Sequence, residues 1–183
     1  MVAATTVQIE SWPQTIDDFD RLVAATQDEL VHFAFYRLGN QADAEDAVQD
    51  VYVQAFRDRT KRRRVTEVRP YLFRMVRNRC TDILRARSRK SRETAGVAIH
   101  GGDPLSTMVA HEQARELARL LDQIPEREAE VIRLRAWSEL SFADVAVAVG
   151  AALPTVKSRF RYGIEKLRRL LQLEGGTLNE PFE

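Results

Sequence analysis

Apolar residues recur at every third or fourth position along most of this 183-residue chain, and no stretch alternates apolar and polar residues as a half-buried β-strand would. Residues that begin or end helices bound the periodic stretches, notably Gly39, Pro70, Pro125, Gly150 and Pro154. We therefore expect an all-α protein. The expected helices span about 17–38, 41–57, 69–88, 105–123, 125–137 and 154–173, with a short helix between 141 and 150.

Polar side chains that can cap helices precede several of these segments. Thr15 or Ile16 lies near the start of the first helix, and Asn40 can cap the second. Ser141 with Asp144 matches the capping-box pattern, in which the two side chains satisfy backbone N–H groups of the first turn. These capping residues therefore indicate where the helices start, which hydrophobic periodicity alone does not.

The sequence Gly101-Gly102-Asp103-Pro104 interrupts the helical pattern near the middle of the chain. Since 183 residues allow one ordinary domain or two small ones, we expect two small helical domains joined by a flexible linker. The predicted bounds are 15–90 for the first domain, 91–110 for the linker and 111–173 for the second domain, which carries a helix-turn-helix.

Charge is distributed unevenly, although the net charge is only +1. The net charge is −8 over residues 10–50, +12 over 57–92, −5 over 93–130 and +5 over 131–169. Two basic blocks separated by acidic segments predict two polyanion-binding surfaces. A solvated helix face is the alternative interpretation of each block.

Several classes of protein are disfavoured by what the sequence lacks. No run of 18 apolar residues could span a membrane, and residues 1–12 lack the pattern of a secretory signal. A single cysteine excludes an internal disulfide and a multi-cysteine zinc site. His32, His100 and His111 are scattered, without ligands at metal-binding spacing. We expect a cytoplasmic protein that is not an enzyme and needs no metal or cofactor.

The predicted helix 41–57 has two contrasting sides at 100° per residue. The side predicted to be buried carries Ala44, Ala47, Val48, Val51, Tyr52, Ala55 and Phe56. The opposite side carries Asp46, Gln49, Asp50 and Val53. An apolar valine among acidic residues on an outward face is consistent with a docking stripe and equally with ordinary surface.

The predicted helix 69–88 combines an apolar side with a basic and polar side. The residues expected to face inward are Leu72, Val76, Cys80, Ile83 and Leu84, whereas Arg74, Arg77, Asn78, Thr81, Asp82, Arg85 and Ser88 face outward. Positive charge combined with groups that hydrogen-bond bases or phosphates suits nucleic-acid binding. Tyr71 and Phe73 could stack on unpaired bases or belong to the core, and the core is favoured for Phe73. Arg79 lies on the apolar arc and is expected to extend along it to reach water.

The segment 141–171 has the pattern of a helix-turn-helix, with Gly150 at the turn. The exposed side of its second helix is expected to present Thr155, Ser158, Arg159, Arg161, Tyr162 and Lys166. Short polar and basic residues near the start of such a helix suit recognition of the DNA major groove. A helix pair of this kind without a DNA role is the alternative.

The order of motifs resembles that of bacterial sigma factors. Residues 40–51, which run from Asn40 to Val51, resemble the motif that binds core RNA polymerase, and residues 70–78 with Asp82 and Arg85 resemble the helix that melts and recognises the minus-10 element. Residues 124–134 resemble the start of the C-terminal sigma domain, and residues 155–159 its minus-35 recognition helix. Only two sigma domains fit in this length, so the resemblance is to the extracytoplasmic-function group.

The resemblance implies a promoter-specificity subunit whose partners are core RNA polymerase, promoter DNA and, by family habit, an anti-sigma factor. The implied polymerase-binding residues are Asp46, Gln49, Asp50 and Val53. The implied minus-10 contacts are Tyr71, Arg74, Arg77, Asn78, Thr81 and Arg85, with the 57–69 loop and Asn78 capturing an extruded base. The implied minus-35 contacts are Thr155, Lys157, Ser158, Arg159, Arg161 and Tyr162.

The sequence departs from the family pattern at three places. Tyr71 stands where members usually have Trp, and Pro154 stands where Gly is frequent. Tyr162-Gly163 replaces a frequent Arg-Ala pair, which removes a cation from the exposed side and places a glycine in mid-helix, at about 1 kcal/mol relative to alanine.

Two other functions are compatible with parts of the pattern. A stand-alone helix-turn-helix regulator that binds duplex DNA as a dimer would account for the C-terminal segment, but it would leave the basic face of 69–88 without a role. A protein-interaction module that sequesters a partner would not need fifteen basic residues within 57–92.

Overall fold

The computed structural model describes residues 11–62, 64–93, 116–138 and 140–173, and every regular element in these ranges is a helix. The chain divides into two compact units, Met1–Pro104 and Leu105–Glu183, and the division falls within the predicted linker. The elements are α1 (Ile16–Leu38), α2 (Gln41–Arg57), α3 (Val68–Glu93), α4 (116–121), α5 (Glu126–Trp137), α6 (Phe142–Val149) and α7 (Leu153–Leu173). The all-α, two-domain architecture is confirmed.

In the first unit, α1, α2 and α3 pack against one another around an apolar core. The Thr15 side chain caps α1 by accepting from the Asp18 backbone N–H, and Asn40 caps α2 by accepting from Asp43. Gly39 ends α1 with φ of 72°, a left-handed conformation that side-chain-bearing residues rarely adopt. The core contains the predicted face of α2, with Phe56 partly buried, together with Leu22, Leu30, Phe33, Leu72, Phe73, Val76 and Cys80.

Helix α3 is longer at both ends than the predicted 69–88, and one of its expected core residues is exposed. Leu84 was expected to face inward but is 37% exposed, and Ile83 is only partly buried. Every side chain from residue 84 to residue 89 is exposed, because this part of α3 runs past the end of the core. The prediction for Leu84 was therefore wrong.

In the second unit, α6 and α7 form the predicted helix-turn-helix, which packs on α5. Ser141 and Asp144 make both hydrogen bonds of a capping box, and Gly150 ends α6 with φ of 66°. A buried cluster includes Leu121, Ile124, Ile132 and Leu167. The predicted start of a helix near residue 105 lies outside the described residues.

Gly163 lies at a point where α7 packs closely against α5. A Cβ atom added at this position would lie 2.6 Å from Cδ1 of Ile132 and 3.3 Å from Cβ of Glu128. Ile132 is fully buried, so its side chain has little room to move. The sequence suggested only a loss of helix propensity at Gly163, whereas the structure gives the absence of a side chain a packing role.

We expect Gly163→Ala to lower the free energy of unfolding of the second unit by about 1–3 kcal/mol, because overpacking outweighs the gain in helix propensity. Fluorescence of Trp137 in a Trp12→Phe background would report on this unit, since these are the two tryptophans of the chain.

Ile132→Val is the matched partner because it removes only the Cδ1 atom, at an expected loss of about 0.5–1.5 kcal/mol on its own. The double variant should be less destabilised than the sum of the two single variants. Strictly additive losses would show that the Ile132 contact does not limit position 163.

Candidate nucleic-acid and protein interfaces

The outward side of α2 presents the predicted docking residues as one exposed stripe. Asp46, Gln49 and Asp50 are exposed, and Val53 is 48% exposed, while the opposite side of the helix is buried. Asp50 also accepts a hydrogen bond from Arg79 of α3, with 2.6 Å between Oδ2 and Nη2. A shallow depression beside this pair is lined by Val53, Gln54, Arg57 and Asp58 among others. The stripe therefore combines acidic groups with one exposed apolar side chain.

Arg79 reaches solvent, as expected, and it also makes an ion pair that the sequence did not indicate. Its side chain leaves the apolar arc of α3 and reaches across to α2, where both it and Asp50 are about half exposed. An exposed ion pair of this kind contributes at most about 1 kcal/mol to stability. The pair favours one position of the Asp50 carboxylate on the stripe.

The outward side of α3 carries the predicted basic and polar face. Arg74, Asn78 and Arg85 are exposed, whereas Arg77 and Thr81 are partly buried. The Arg77 guanidinium donates to Oδ1 of Asn78 from both Nε (3.2 Å) and Nη2 (2.9 Å). Asn78 is exposed, and its amide NH₂ makes no hydrogen bond to the described residues.

Two of the predicted minus-10 residues are engaged within the protein. The Thr81 hydroxyl donates to the Arg77 carbonyl and accepts from Nη2 of Arg37 at 3.0 Å. Tyr71 is partly buried, and its hydroxyl accepts a hydrogen bond from Arg62. Phe73 is fully buried, as favoured from the sequence. Fewer of the predicted minus-10 residues are therefore open to a ligand than expected.

The segment between α2 and α3 is folded by short-range contacts. The Asp58 carboxylate accepts from Lys61 at 3.1 Å and from Arg62 at 3.3 Å, and the hydrogen bond from Lys61 lowers the pKa of that carboxyl. The Arg59 guanidinium lies 4.4 Å from the centroid of the Phe56 ring. Arg64 is exposed. The segment thus holds some of its cations inward and presents others to solvent.

Sequence reasoning missed Trp12, which lies before α1 and is 1% exposed. Its ring meets the Tyr71 ring edge-on, with 5.6 Å between the centroids. The Arg62 guanidinium lies 5.6 Å from the Trp12 ring centroid and 4.9 Å from that of Tyr71. No helical period includes Trp12, and the available signal was only a large aromatic residue, followed by Pro13, ahead of the first predicted helix.

The exposed side of α7 presents the predicted minus-35 residues. Thr155, Lys157, Ser158, Arg161 and Tyr162 are exposed, and Arg159 is partly buried. The Ser158 hydroxyl donates to the carbonyl of Pro154 at 3.0 Å, which leaves its oxygen as an acceptor.

Two side chains near this surface make contacts that the sequence did not indicate. The Arg161 guanidinium lies 4.9 Å from the Tyr162 ring centroid and donates to its hydroxyl at 3.2 Å, so these two side chains form one unit. Lys166 donates to Glu128 of α5 at 2.6 Å and is only partly exposed. Lys166 is thus tied to the body of the second unit.

Cys80 is fully buried, and burial raises the pKa of its thiol to about 11, so it stays protonated at neutral pH. Within the described ranges, no three His, Cys, Asp or Glu side chains are grouped as metal ligands would be. In the same ranges, no helix is long and apolar enough to cross a membrane.

Comparison with known proteins shows that both units match sigma-factor regions. Residues 22–90 match Sigma-70 region 2, and residues 120–169 match Sigma-70 region 4. The chain is 32% identical over 166 residues to the ECF RNA polymerase sigma factor SigL of Mycobacterium tuberculosis, covering 85% of this chain and 92% of that protein. It is 28% identical to SigE of Mycolicibacterium smegmatis, covering 84% of this chain and 61% of that protein.

A solved structure shares the fold. The sigma factor RpoE of Bartonella quintana, in a co-crystal with the anti-sigma factor NepR, superposes with a TM-score of 0.71 at 25% identity, covering 86% of this chain and 99% of that chain. The fold and the matched regions define a two-domain sigma factor. The chain belongs to the extracytoplasmic-function (ECF) family of RNA polymerase sigma factors. It is therefore a DNA-binding transcription initiation factor that acts with core RNA polymerase.

Proposed function

We propose that this sigma factor divides promoter recognition and melting among three surfaces. The stripe Asp46, Gln49, Asp50 and Val53 docks on core polymerase, the outward side of α3 with the 58–67 segment holds the minus-10 strand, and the exposed side of α7 recognises duplex DNA at minus-35. The observation that carries the proposal is that the acidic stripe and the basic face lie on different helices of one unit and point to solvent.

The acidic stripe suits a protein partner rather than DNA. Two carboxylates beside an exposed valine repel phosphates but complement a basic surface that offers an apolar contact. The pairing with Arg79 favours one position of the Asp50 carboxylate before the partner arrives.

The α3 face suits a single strand better than a duplex. Arg74 and Arg85 are exposed cations that can neutralise phosphates, and Asn78 offers an amide NH₂ to an acceptor on an extruded base. Extruding a base from the stack costs a few kcal/mol, which backbone contacts across the basic face offset.

Several further properties follow from this function. The protein has no catalytic step of its own, acts in the cytoplasm with its polymerase and needs no cofactor. An anti-sigma factor is a further partner, which the likeness to a sigma factor crystallised with one supports. The domain bounds 15–90, 91–110 and 111–173 stay a prediction, since most of 91–110 lies outside the described residues. The stand-alone regulator is not favoured, because it leaves both faces of the first unit without a role.

Docking is tested by reversing charge on the stripe. Asp46→Arg with Asp50→Arg should abolish co-elution with core polymerase while helicity is retained, because both side chains are exposed and like-charge contact at an interface costs several kcal/mol. Asp20→Arg, at an exposed acid of α1 outside the stripe, is the control for charge reversal and should leave binding unchanged.

Because Asp50 is paired with Arg79, exchanging the two charges separates the effect on docking from the effect of losing the internal ion pair. Asp50→Arg with Arg79→Asp restores the pair but not the stripe, so holoenzyme formation should remain impaired. Wild-type binding by the charge-reversed Asp46/Asp50 variant would show that polymerase docks elsewhere.

Strand separation is tested at Asn78. Asn78→Ala should slow open-complex formation on a duplex promoter far more than it weakens initial binding, and a pre-melted bubble should partly rescue it. Asn78→Asp keeps an acceptor for Arg77 but lacks the NH₂ group, so it should be at least as defective if the amide donors capture the base.

Arg74→Ala provides the contrast. It should weaken binding broadly and reduce the slope of log affinity against log salt by about one unit if Arg74 neutralises one phosphate. Base capture by Asn78 is wrong if the Asn78 variants behave as Arg74→Ala does.

Upstream recognition is tested at Tyr162, where the chain leaves the family pattern. Tyr162→Arg should change the preferred minus-35 bases without lowering overall affinity, because an arginine can pair with guanine where a tyrosine offers a hydroxyl and an apolar ring. Arg159→Ala should cost about 1–3 kcal/mol if Arg159 contacts a base edge. Selection from a randomised upstream element in holoenzyme measures both effects.

Tyr162→Phe is the control for the hydroxyl, which also accepts a hydrogen bond from Arg161. Identical base preferences for wild type and Tyr162→Arg would show that Tyr162 does not face the DNA.

A further inference from the structure

Trp12 lies outside the part of the chain that matches Sigma-70 region 2, yet it is among the largest fully buried side chains described. It precedes the cap of α1 and contacts two residues that are distant in sequence, Tyr71 at the start of α3 and Arg62 in the segment 58–67. The Arg62 guanidinium lies within 6 Å of both ring centroids, at cation–π distance. The three side chains form one cluster, which we name the Trp12 cluster.

The Trp12 cluster anchors the segment 58–67 through side-chain contacts on its buried side. Arg62 donates to the Tyr71 hydroxyl and to the Asp58 carboxylate, and its carbonyl accepts from the Val65 N–H at 2.9 Å. Its backbone N–H also bonds back to Asp58. One guanidinium therefore joins the turn that starts the segment, the α3 helix and the N-terminal stretch.

Arg62 is poorly placed to contact DNA itself. Its side chain is only 14% exposed, whereas Arg64, two residues later, is exposed. A cation enclosed by two rings and a carboxylate cannot neutralise a phosphate without leaving those partners. The contribution of Arg62 to DNA binding must therefore be indirect, through the shape of the segment.

One member of the cluster, Tyr71, lies on α3, the helix that carries the proposed base-capturing residue. Tyr71 and Asn78 are seven residues apart on α3, or about 10 Å along the helix axis, and two turns place them on a similar side. A segment already folded beside that face loses less conformational freedom when it receives a base than a free loop would.

We propose that Trp12 is a positioning residue for promoter melting: it holds Arg62 against Tyr71 and so keeps the segment 58–67 folded for capture of the extruded base. This inference rests on the proposed role of that segment and Asn78 in the minus-10 interaction. It gives the N-terminal stretch a part in strand separation without any contact to DNA.

The test uses full-length chain in holoenzyme, on a duplex promoter and on the same promoter with a pre-melted bubble. Opening is followed by the fluorescence of 2-aminopurine at the extruded position. Trp12→Ala and Arg62→Gln should slow opening of the duplex by about tenfold, as expected when a preformed segment becomes free. The bubble should largely rescue both variants, and co-elution with polymerase should be unchanged.

Two matched variants separate positioning from other roles. The indole N–H of Trp12 makes no hydrogen bond to the described residues, so Trp12→Phe keeps the ring contact and should open promoters nearly as wild type does. Arg64→Gln removes the same charge as Arg62→Gln but from an exposed side chain. It should reduce the salt dependence of binding, whereas Arg62→Gln should not.

Wild-type opening by either variant, Trp12→Ala or Arg62→Gln, would overturn the inference. So would a defect in Arg62→Gln that the bubble fails to relieve, because that indicates a general loss of structure. If Trp12→Ala does not fold, Arg62→Gln decides alone. Asn78→Ala, measured in parallel, separates the two hypotheses. Normal opening by Asn78→Ala refutes base capture by Asn78. If Asn78→Ala is defective but Arg62→Gln opens normally, only the positioning role of Trp12 is refuted.

Discussion

The side of α3 that packs on α1 and α2 determines which of its residues reach solvent. Phe73 is fully buried and meets Phe33 edge-on, with 5.5 Å between the ring centroids, and Val76 and Cys80 continue the same buried side. A shift of one residue would turn α3 by 100° and bring Arg74 into this core, where an unpaired charge is prohibitively costly. The exposed basic face is thus a consequence of the apolar packing beneath it.

The arginines of the basic block have two kinds of role. Arg69, Arg79 and Arg87 pair with Glu29, Asp50 and Asp43 respectively, which ties α3 to α1 and α2. Such partly exposed pairs add little stability each, but they occupy cations that the sequence alone would assign to nucleic acid. Among the described residues, the exposed arginines outside these three pairs include Arg57 and Arg64 near the start of the block and Arg74 and Arg85 on the outward side of α3.

Much of the fold could be predicted because its signals are local. Thr15, Asn40 and the Ser141–Asp144 capping box begin helices where expected, since a cap depends only on residues a turn away. The faces of α2 and α7 followed from periodicity. The Trp12 cluster, the Asp50–Arg79 pair and the close approach at Gly163 could not be predicted, because each depends on side chains from different elements. Leu84 was misplaced because periodicity does not indicate where the neighbouring helices end.

The way α7 is held has a consequence for how promoter preference can evolve. Val156, Gly163 and Leu167 are buried against the rest of the second unit, while Thr155, Ser158 and Tyr162 are exposed. Substitutions at exposed positions usually change stability by no more than about 0.5 kcal/mol. Lineages that descend from such a protein can therefore exchange the residues proposed to contact DNA one at a time, and a duplicated copy can acquire a new set of target genes without passing through an unstable intermediate.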